Sequence, residues 1–287
     1  MTETAYHLVG TGGIGMSAIA RLLLARGANV TGSDLRRTPL IDALEREGIR
    51  VAIGHAAQNI GDADVVVVSS AIATDNPELA AAVARKLDVV TRGKMLARLA
   101  EGHRLIAVAG THGKTTTTAM LATILEGAGL DPTVAVGGVR TDTGTNAHAG
   151  AGHWFVTESD ESDGSFLELN PTIAIVTNIE NDHIASDAEL PHLLEQFATF
   201  VSKVPPQGRA VIGTDNNASA LLAREARAPV STFATRAGAD FTATEIAYAD
   251  LGSRFVVSEL GTPLGEVALK VPGEINVQNA LAALCAA

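Results

Sequence analysis

Twice in this chain a short apolar run ends in a glycine-rich loop that leads straight into a helical pattern. Residues 6–9 run into Gly10-Thr11-Gly12-Gly13-Ile14-Gly15, and residues 105–109 run into Gly110-Thr111-His112-Gly113-Lys114-Thr115. Strand, glycine loop and helix in that order open a parallel βαβ unit. They leave backbone N–H groups at a helix N-terminus, where anions bind. Two phosphate-type ligands on two α/β domains are therefore expected, and a chain of 287 residues has room for about two domains.

The pattern around each loop supports this. Residues 16–26 have helical apolar spacing closed by Gly27, residues 29–32 read as a second strand, and residues 39–47 read as a helix with Pro39 in its first turn. Four consecutive valines at 65–68 suit a strand buried on both faces, and residues 77–85 and 93–100 read as helices. The polar break Glu101-Gly102-His103-Arg104 is the expected boundary, giving domains over 1–102 and 103–287. The second domain is expected to run through a helix at 115–128, strands at 154–157 and 173–176, a helix at 191–204, and strands at 210–212 and 230–233. Short strands between 241 and 271 turn at Gly261-Thr262-Pro263. The fold class read from this is α/β: a Rossmann-like N-terminal parallel-sheet domain, then a P-loop ATPase-type α/β domain. Residues 276–287 read as a helix with no stop signal, which predicts a further C-terminal domain.

Composition narrows the classes of partner. With 21 basic against 32 acidic residues the net charge is −11, and aromatics are 3%, so neither a basic face nor a stacking platform for nucleic acid is expected. Anionic phosphates must then be held locally, by backbone N–H groups, a lysine and a metal. The single cysteine, Cys285, allows no internal disulfide and fits a reducing compartment. No apolar run is long enough to span a bilayer, and the start of the chain does not read as a signal peptide. A cytoplasmic protein with no membrane insertion is expected; the oligomeric state is not legible.

The first loop matches G-x-G-x-x-G, and Asp34 closes the second strand 19 residues after Gly15, where an acid can hold a ribose hydroxyl. Gly12, Gly13, Ile14, Gly15 and Asp34 are the candidate ligand residues. The motif alone does not separate a dinucleotide from another nucleotide diphosphate, and a turn that only packs helix on strand is the plainer alternative. The second loop is a shortened Walker A, since Val108 stands where the leading glycine belongs. Its backbone would cradle the phosphates of ATP, Lys114 would reach the terminal phosphates, and the Thr115 hydroxyl would ligate Mg²⁺. Glu158 ends an otherwise apolar strand, which aims a carboxylate into the crevice where ligands bind in such sheets. Asp160, Glu161 and Asp163 crowd behind it and read equally as a solvated acidic loop. Asn178 and His183 follow the strand at 173–176, and His183 is a candidate ligand of a second metal.

Together these residues resemble the Mur ligase family, the ATP-dependent amino-acid adders of peptidoglycan synthesis. The motifs, in order, are GTHGKTTTT at 110–118, ESDESDGSFL at 158–167, TNIENDH at 177–183 and NALAA at 279–283. GTGGIGMSAIA at 10–20, SSAI at 69–72, Asn76-Pro77-Glu78, Arg92 and Met95-Leu96 look like the members that join L-alanine to UDP-N-acetylmuramate. The resemblance implies that the first loop takes a UDP-sugar rather than NAD, with Ser69, Ser70, Asn146 and Asn178 on the substrate side. It implies Glu158 and His183 as Mg²⁺ ligands, Asn279 at adenine, and Gly110 to Thr116 around the phosphates. Lys114, Glu158 and His183 are then the catalytic set. Two places depart from the family pattern: Ile275-Asn276 stands where His-Asn is usual, and Asp182-His183 is followed by Ile184-Ala185-Ser186-Asp187 rather than Leu-Asp. Three rivals remain: an NAD-dependent oxidoreductase, a non-catalytic nucleotide-binding regulator, and a sister ligase with a folate or muropeptide substrate.

Overall fold

The computed structural model describes residues 4–160, 164–180 and 190–287. The chain forms two compact units, one made of residues 1–102 and 133–150, the other of residues 103–132 and 151–287. The chain thus passes from one unit to the other after Gly102, but residues 133–150, expected in the second domain, group with the first.

The first unit alternates β1 (Ala5–Val9), α1 (Ile14–Ala25), β2 (Asn29–Asp34), α2 (Pro39–Arg46), β3 (Arg50–Ile53), β4 (Val65–Val68), α3 (Pro77–Ala84), β5 (Asp88–Thr91) and α4 (Arg92–Ala100). The strands are all parallel in the order β3-β2-β1-β4-β5, so the order reverses between β1 and β4. A ligand is expected above that point, at the carboxyl ends of the strands. The helix starts follow from local chemistry. The Thr38 hydroxyl accepts from Ile41 N–H ahead of Pro39, and the Asn76 side chain accepts from Glu78 and Leu79 N–H ahead of Pro77.

Glu78 is fully buried and its carboxylate is the hub of this unit. It accepts from the Ser33 hydroxyl, from Asn59 Nδ2 at 2.6 Å and from Ala56 N–H at 3.2 Å; His7 Nε2 lies at 3.4 Å and His55 Nδ1 at 3.3 Å. Burial works against the charge, yet the hydrogen bonds from His7, Ser33, Asn59 and Ala56 outweigh it and bring the carboxyl down to about 2.

In the second unit, β6 (Arg104–Ala109) and α5 (Lys114–Gly127) come first. The chain then leaves for the first unit, where β7 (Thr133–Ala135) and β8 (Ala147–His148) form an antiparallel pair. It returns with β9 (Trp154–Glu158), β10 (Ile173–Val176), α6 (Leu190–Ser202), β11 (Arg209–Gly213), α7 (Asn217–Leu221), β12 (Val230–Ala234), β13 (Phe241–Ala249), β14 (Gly252–Glu259), β15 (Thr262–Leu269) and α8 (Glu274–Ala286). Strands of this unit run in the order β15-β14-β13-β12-β11-β10-β6-β9, parallel from β13 to β9 and antiparallel across the last hairpins. Strand β6, with every residue after Arg104 buried, is flanked by β10 and β9.

Helices α5 and α8 pack over the sheet through Leu121, Leu125, Val277 and Leu281, against Ile106, Val108, Val156 and Ile175. Cys285 lies in this layer, and burial pushes its thiol up to about 12, so it serves as a packing residue. Among the described residues no helix is long and apolar enough to cross a membrane.

The Glu78 hub has a pH signature. Its carboxyl is lower in the folded chain than the ordinary 4.5, so its stabilisation is complete above about pH 4.5 and is lost as pH falls toward 2. Glu78→Gln is expected to lower stability at pH 7 by up to roughly 3 kcal/mol, with the gap to the unchanged chain closing between pH 4.5 and 2. Denaturant unfolding at a series of pH values checks this, and a gap independent of pH contradicts it.

Candidate functional site

The second glycine loop joins the carboxyl end of β6 to the N-terminus of α5, and the ends of both neighbouring strands close on it. From β10, the Thr177 hydroxyl donates to His112 O at 2.6 Å. Asn178 grips the same residue from both sides: its Oδ1 accepts from His112 N–H at 2.9 Å and its Nδ2 donates to His112 O at 3.1 Å. Thr111 N–H donates to Asn178 O at 3.0 Å, and Glu180 N–H donates to the Thr111 hydroxyl oxygen at 2.9 Å. His112 Nε2 stands 3.8 Å from Glu180 Oε2.

These contacts need glycine at two positions. Gly110 has φ +135°, and a Cβ there would stand 2.0 Å from Thr177 Oγ1; Gly113 has φ +84°, and a Cβ there would stand 2.1 Å from Asn279 Oδ1. The motif therefore records close approach as well as left-handed backbone.

Within the loop, Lys114 Nζ donates to Gly110 O at 2.7 Å and to Thr111 O at 3.3 Å. From β9, Glu158 Oε2 accepts from the Thr115 hydroxyl at 2.6 Å. A hydroxyl and a carboxylate thus converge at the N-terminus of α5, and such hard oxygen donors fit Mg²⁺. Among the described residues no three His, Cys, Asp or Glu gather as a metal cage. A cation at Thr115 and Glu158 would complete its shell with phosphate oxygens and water, which is how Mg²⁺ is usually held. Thr116 lies half-buried in the same helical turn. His183, with Glu161 and Asp163, lies outside the described residues.

Asn279, expected at adenine, is buried on α8 against the start of α5, with the Thr117 hydroxyl 3.3 Å from its Oδ1. A cavity of about 340 Å³ in this unit is lined by Asn178, Asp215, Arg236, Ile275 and Gln278 among others, and Asn279 is not in its wall. Sequence reading missed Asp215, whose carboxylate accepts from Thr235 N–H, Arg236 Nε and Gln278 Nε2. Its only sequence signal is a polar Thr-Asp-Asn-Asn turn after a buried strand.

In the first unit, Gly10 to Gly15 follow β1 and Ser69 follows β4, on either side of the reversal in strand order. A Cβ on Gly10 would stand 3.2 Å from Ser69 Cβ; Ser70, next to it, is exposed. Asp34 is spent on the loop itself: Oδ2 accepts from Gly12 N–H at 2.8 Å and Oδ1 from Arg36 N–H at 3.2 Å. Arg92 Nη1 stands 3.0 Å from where a Gly15 Cβ would be, so a guanidinium borders the loop at the N-terminus of α4. Asn146 is fully buried, its Nδ2 donating to Ile14 O at 2.6 Å and to Ser17 Oγ at 3.0 Å, with Arg21 Nη1 on its Oδ1.

Residues 5–104 match the Mur ligase family catalytic domain and residues 108–287 match the Mur ligase middle domain. The chain belongs to the Mur ligase family. Among curated relatives of this Mur ligase is the UDP-N-acetylmuramate–L-alanine ligase of Geotalea uraniireducens, 47% identical over 281 residues, covering 98% of this chain and 61% of the relative. The enzyme of the same name from Geobacter sulfurreducens is 44% identical over 283 residues, with 98% and 61% covered. Among solved structures, the UDP-N-acetylmuramate–alanine ligase of Thermotoga maritima superposes with a TM-score of 0.86 at 31% identity, covering 98% of this chain and 64% of that one. The UDP-N-acetylmuramate:L-alanyl-γ-D-glutamyl-meso-diaminopimelate ligase of Neisseria meningitidis gives 0.90 at 30% identity, with 99% and 93% covered. The chain therefore spans about 61% of the length of the curated relatives it matches.

The close approach at Gly113 can be separated from its backbone strain. Gly113→Ala is expected to lower the melting temperature and to abolish stabilisation by ATP-Mg²⁺. Gly129→Ala, at φ +75° with nothing within 4 Å, is expected to cost only the strain of about 1–2 kcal/mol and to keep the ATP response. Equal responses to ATP in the two variants would show that Asn279 does not need that space.

Proposed function

We propose that this chain carries the nucleotide-binding and sugar-nucleotide-binding parts of an ATP-dependent ligase that joins L-alanine to the lactyl carboxylate of UDP-N-acetylmuramate. The observation that carries the ATP half is the convergence of Thr115 and Glu158 at 2.6 Å beside Lys114, above the carboxyl ends of β6 and β9. With the Thr111 and His112 N–H groups already given to Asn178, those of Gly113 to Thr115 at the start of α5 bind the phosphates, and Lys114 reaches the terminal ones as a point charge. Thr115 and Glu158 would hold Mg²⁺, which would supply charge neutralisation between the two anions that must meet. The cavity lined by Asp215, Ile275 and Gln278 takes the base, with Ile275 offering an apolar wall.

Phosphoryl transfer from ATP to the carboxylate gives an acyl phosphate and ADP, and the amine of alanine then displaces phosphate. Lys114 acts in the first step by holding the γ-phosphate as charge shifts toward ADP. In the first unit, the loop Gly12 to Gly15 and the Arg92 guanidinium hold the diphosphate of the UDP-sugar. A cytoplasmic location goes with this reading, as do the two small-molecule substrates.

The choice of alanine rests on relatives at 44–47% identity that carry that name. A second reading, transfer of a preformed peptide, is supported by the Neisseria meningitidis enzyme, whose chain is covered over 93% of its length. Both use the same acceptor, so the amine half alone divides them. An oxidoreductase on the first loop leaves Lys114, Thr115 and Glu158 without a task.

The test is the melting temperature of this chain with UDP-N-acetylmuramate, NAD and ATP-Mg²⁺, each added separately at about 100 times its Kd. Each true ligand is expected to add about 2.7 kcal/mol of stability. UDP-N-acetylmuramate and ATP-Mg²⁺ should stabilise the chain and NAD should not, and Lys114→Ala should remove only the ATP response. Stabilisation by NAD alone overturns the proposal.

A further inference from the structure

The Asn76-Pro77-Glu78 segment has no task in the reaction just described, yet it holds the most heavily hydrogen-bonded buried carboxylate in the first unit. We propose that Glu78 is a positioning residue for the sugar-nucleotide loop: its carboxylate fixes Ser33, and Ser33 fixes the backbone of Gly10 and Thr11. The inference rests on the reading that this loop holds the diphosphate of a UDP-sugar.

The chain of contacts is short and buried throughout. Asn76 caps α3 and, with Pro77, sets the backbone of Glu78. The Ser33 hydroxyl donates to Glu78 Oε2, with His55 Nδ1 3.1 Å from the same hydroxyl. The Ser33 carbonyl accepts from Gly10 N–H at 2.9 Å and from Thr11 N–H at 3.0 Å, and the Thr11 hydroxyl lies 3.3 Å away. One residue on, the Asp34 carboxylate takes Gly12 N–H. Three successive N–H groups of the loop are therefore oriented by two residues at the end of β2. Ser33, fully buried, is braced from the side by Glu78. Gly13 N–H donates back to Gly10 O at 3.2 Å, so the N–H groups of Ile14 and Gly15 at the start of α1 point where that frame sends them.

The two carboxylate oxygens divide the labour. Oε2 meets Ser33 and the two histidines, while Oε1 accepts from Asn59 and Ala56, which touch the loop at 54–59 and not the glycine loop. Loss of a donor on the Oε1 side should destabilise the fold without reorienting the glycine loop. Loss of the Ser33 hydroxyl should reorient the loop with little change in packing. A merely structural Glu78 predicts that both losses act alike.

The experiment is calorimetric titration of UDP-N-acetylmuramate, and of ATP-Mg²⁺ as a control, into the intact chain and into Ser33→Ala, Glu78→Gln, the Ser33→Ala/Glu78→Gln double variant and Asn59→Ala, below their melting temperatures. Ser33→Ala and Glu78→Gln are each expected to raise Kd for the UDP-sugar about tenfold, the size of one well-placed hydrogen bond, with the double variant no worse than the singles. Asn59→Ala is expected to lower the melting temperature with the same Kd, and ATP-Mg²⁺ affinity is expected to hold in all of them. An unchanged UDP-sugar Kd in Ser33→Ala, or an equal rise in Asn59→Ala, overturns the inference while leaving the assigned ligand standing. A parent chain that does not bind the UDP-sugar overturns the assignment and the inference with it.

Discussion

The carboxyl end of β10 folds onto the loop between β6 and α5, and the geometry of the second unit follows from that contact. Thr177 and Asn178 take both the N–H and the C=O of His112, leaving the loop one conformation around that residue. Fixing a residue costs about 1–2 kcal/mol of backbone entropy, and a net hydrogen bond returns about 0.5–1.5 kcal/mol, so a free loop of six residues would not hold a phosphate cradle open. Here the order is imposed by side chains on a neighbouring strand. It is possible only because Gly110 and Gly113 leave room for Thr177 and Asn279. The loop backbone is thus oriented by the chain's own contacts, and a ligand would not have to order it.

The first unit solves the same problem with different parts. Its loop is held from the end of β2 by one main-chain group, the Ser33 carbonyl, and one side chain, the Asp34 carboxylate. This changes the meaning of Asp34. An acid in that place can hold a ribose, but here both its oxygens accept backbone N–H groups of its own chain. The cationic group that borders the loop is Arg92, beside Gly15. The segment 133–150 adds a second brace, with Asn146 holding the first turn of α1 through Ile14 O and Ser17 Oγ.

Much of this architecture was legible because the signals are local. Val65 to Val68 and Ile173 to Val176 are buried strands with the bounds their apolar runs suggest, and the helices after each glycine loop start within two residues of their expected positions. Strands β3 and β5 were not legible, since RVAI and DVVT are four-residue edge strands whose partly exposed residues give neither a long apolar run nor a clear alternation. The return of residues 133–150 to the first unit was hidden for a different reason. It is set by Asn146 meeting α1 more than a hundred residues away, and no local periodicity encodes such a contact. The site divides in the same way. Lys114, Thr115 and Glu158 announced themselves by strand ends, whereas Asp215 and Arg92 draw their meaning from distant partners. Asn279 was expected at the site from its motif alone, and its burial against Gly113 is a fact of packing.

Some partners of the charged groups at the second glycine loop are neutral, and an anionic ligand would replace them with stronger ones. Lys114 has two neutral carbonyls of its own loop among its partners, and phosphate oxygens would offer the same ammonium charge-assisted bonds of roughly twice the strength. The Thr115 hydroxyl rests on Glu158, and a divalent cation can take both oxygens together without moving either strand. The exchange draws on side-chain freedom alone, because Asn178 and Thr177 keep the backbone where it is. The clamp at His112 acts through the main chain, so the backbone of the loop keeps its place whichever groups its charged side chains meet.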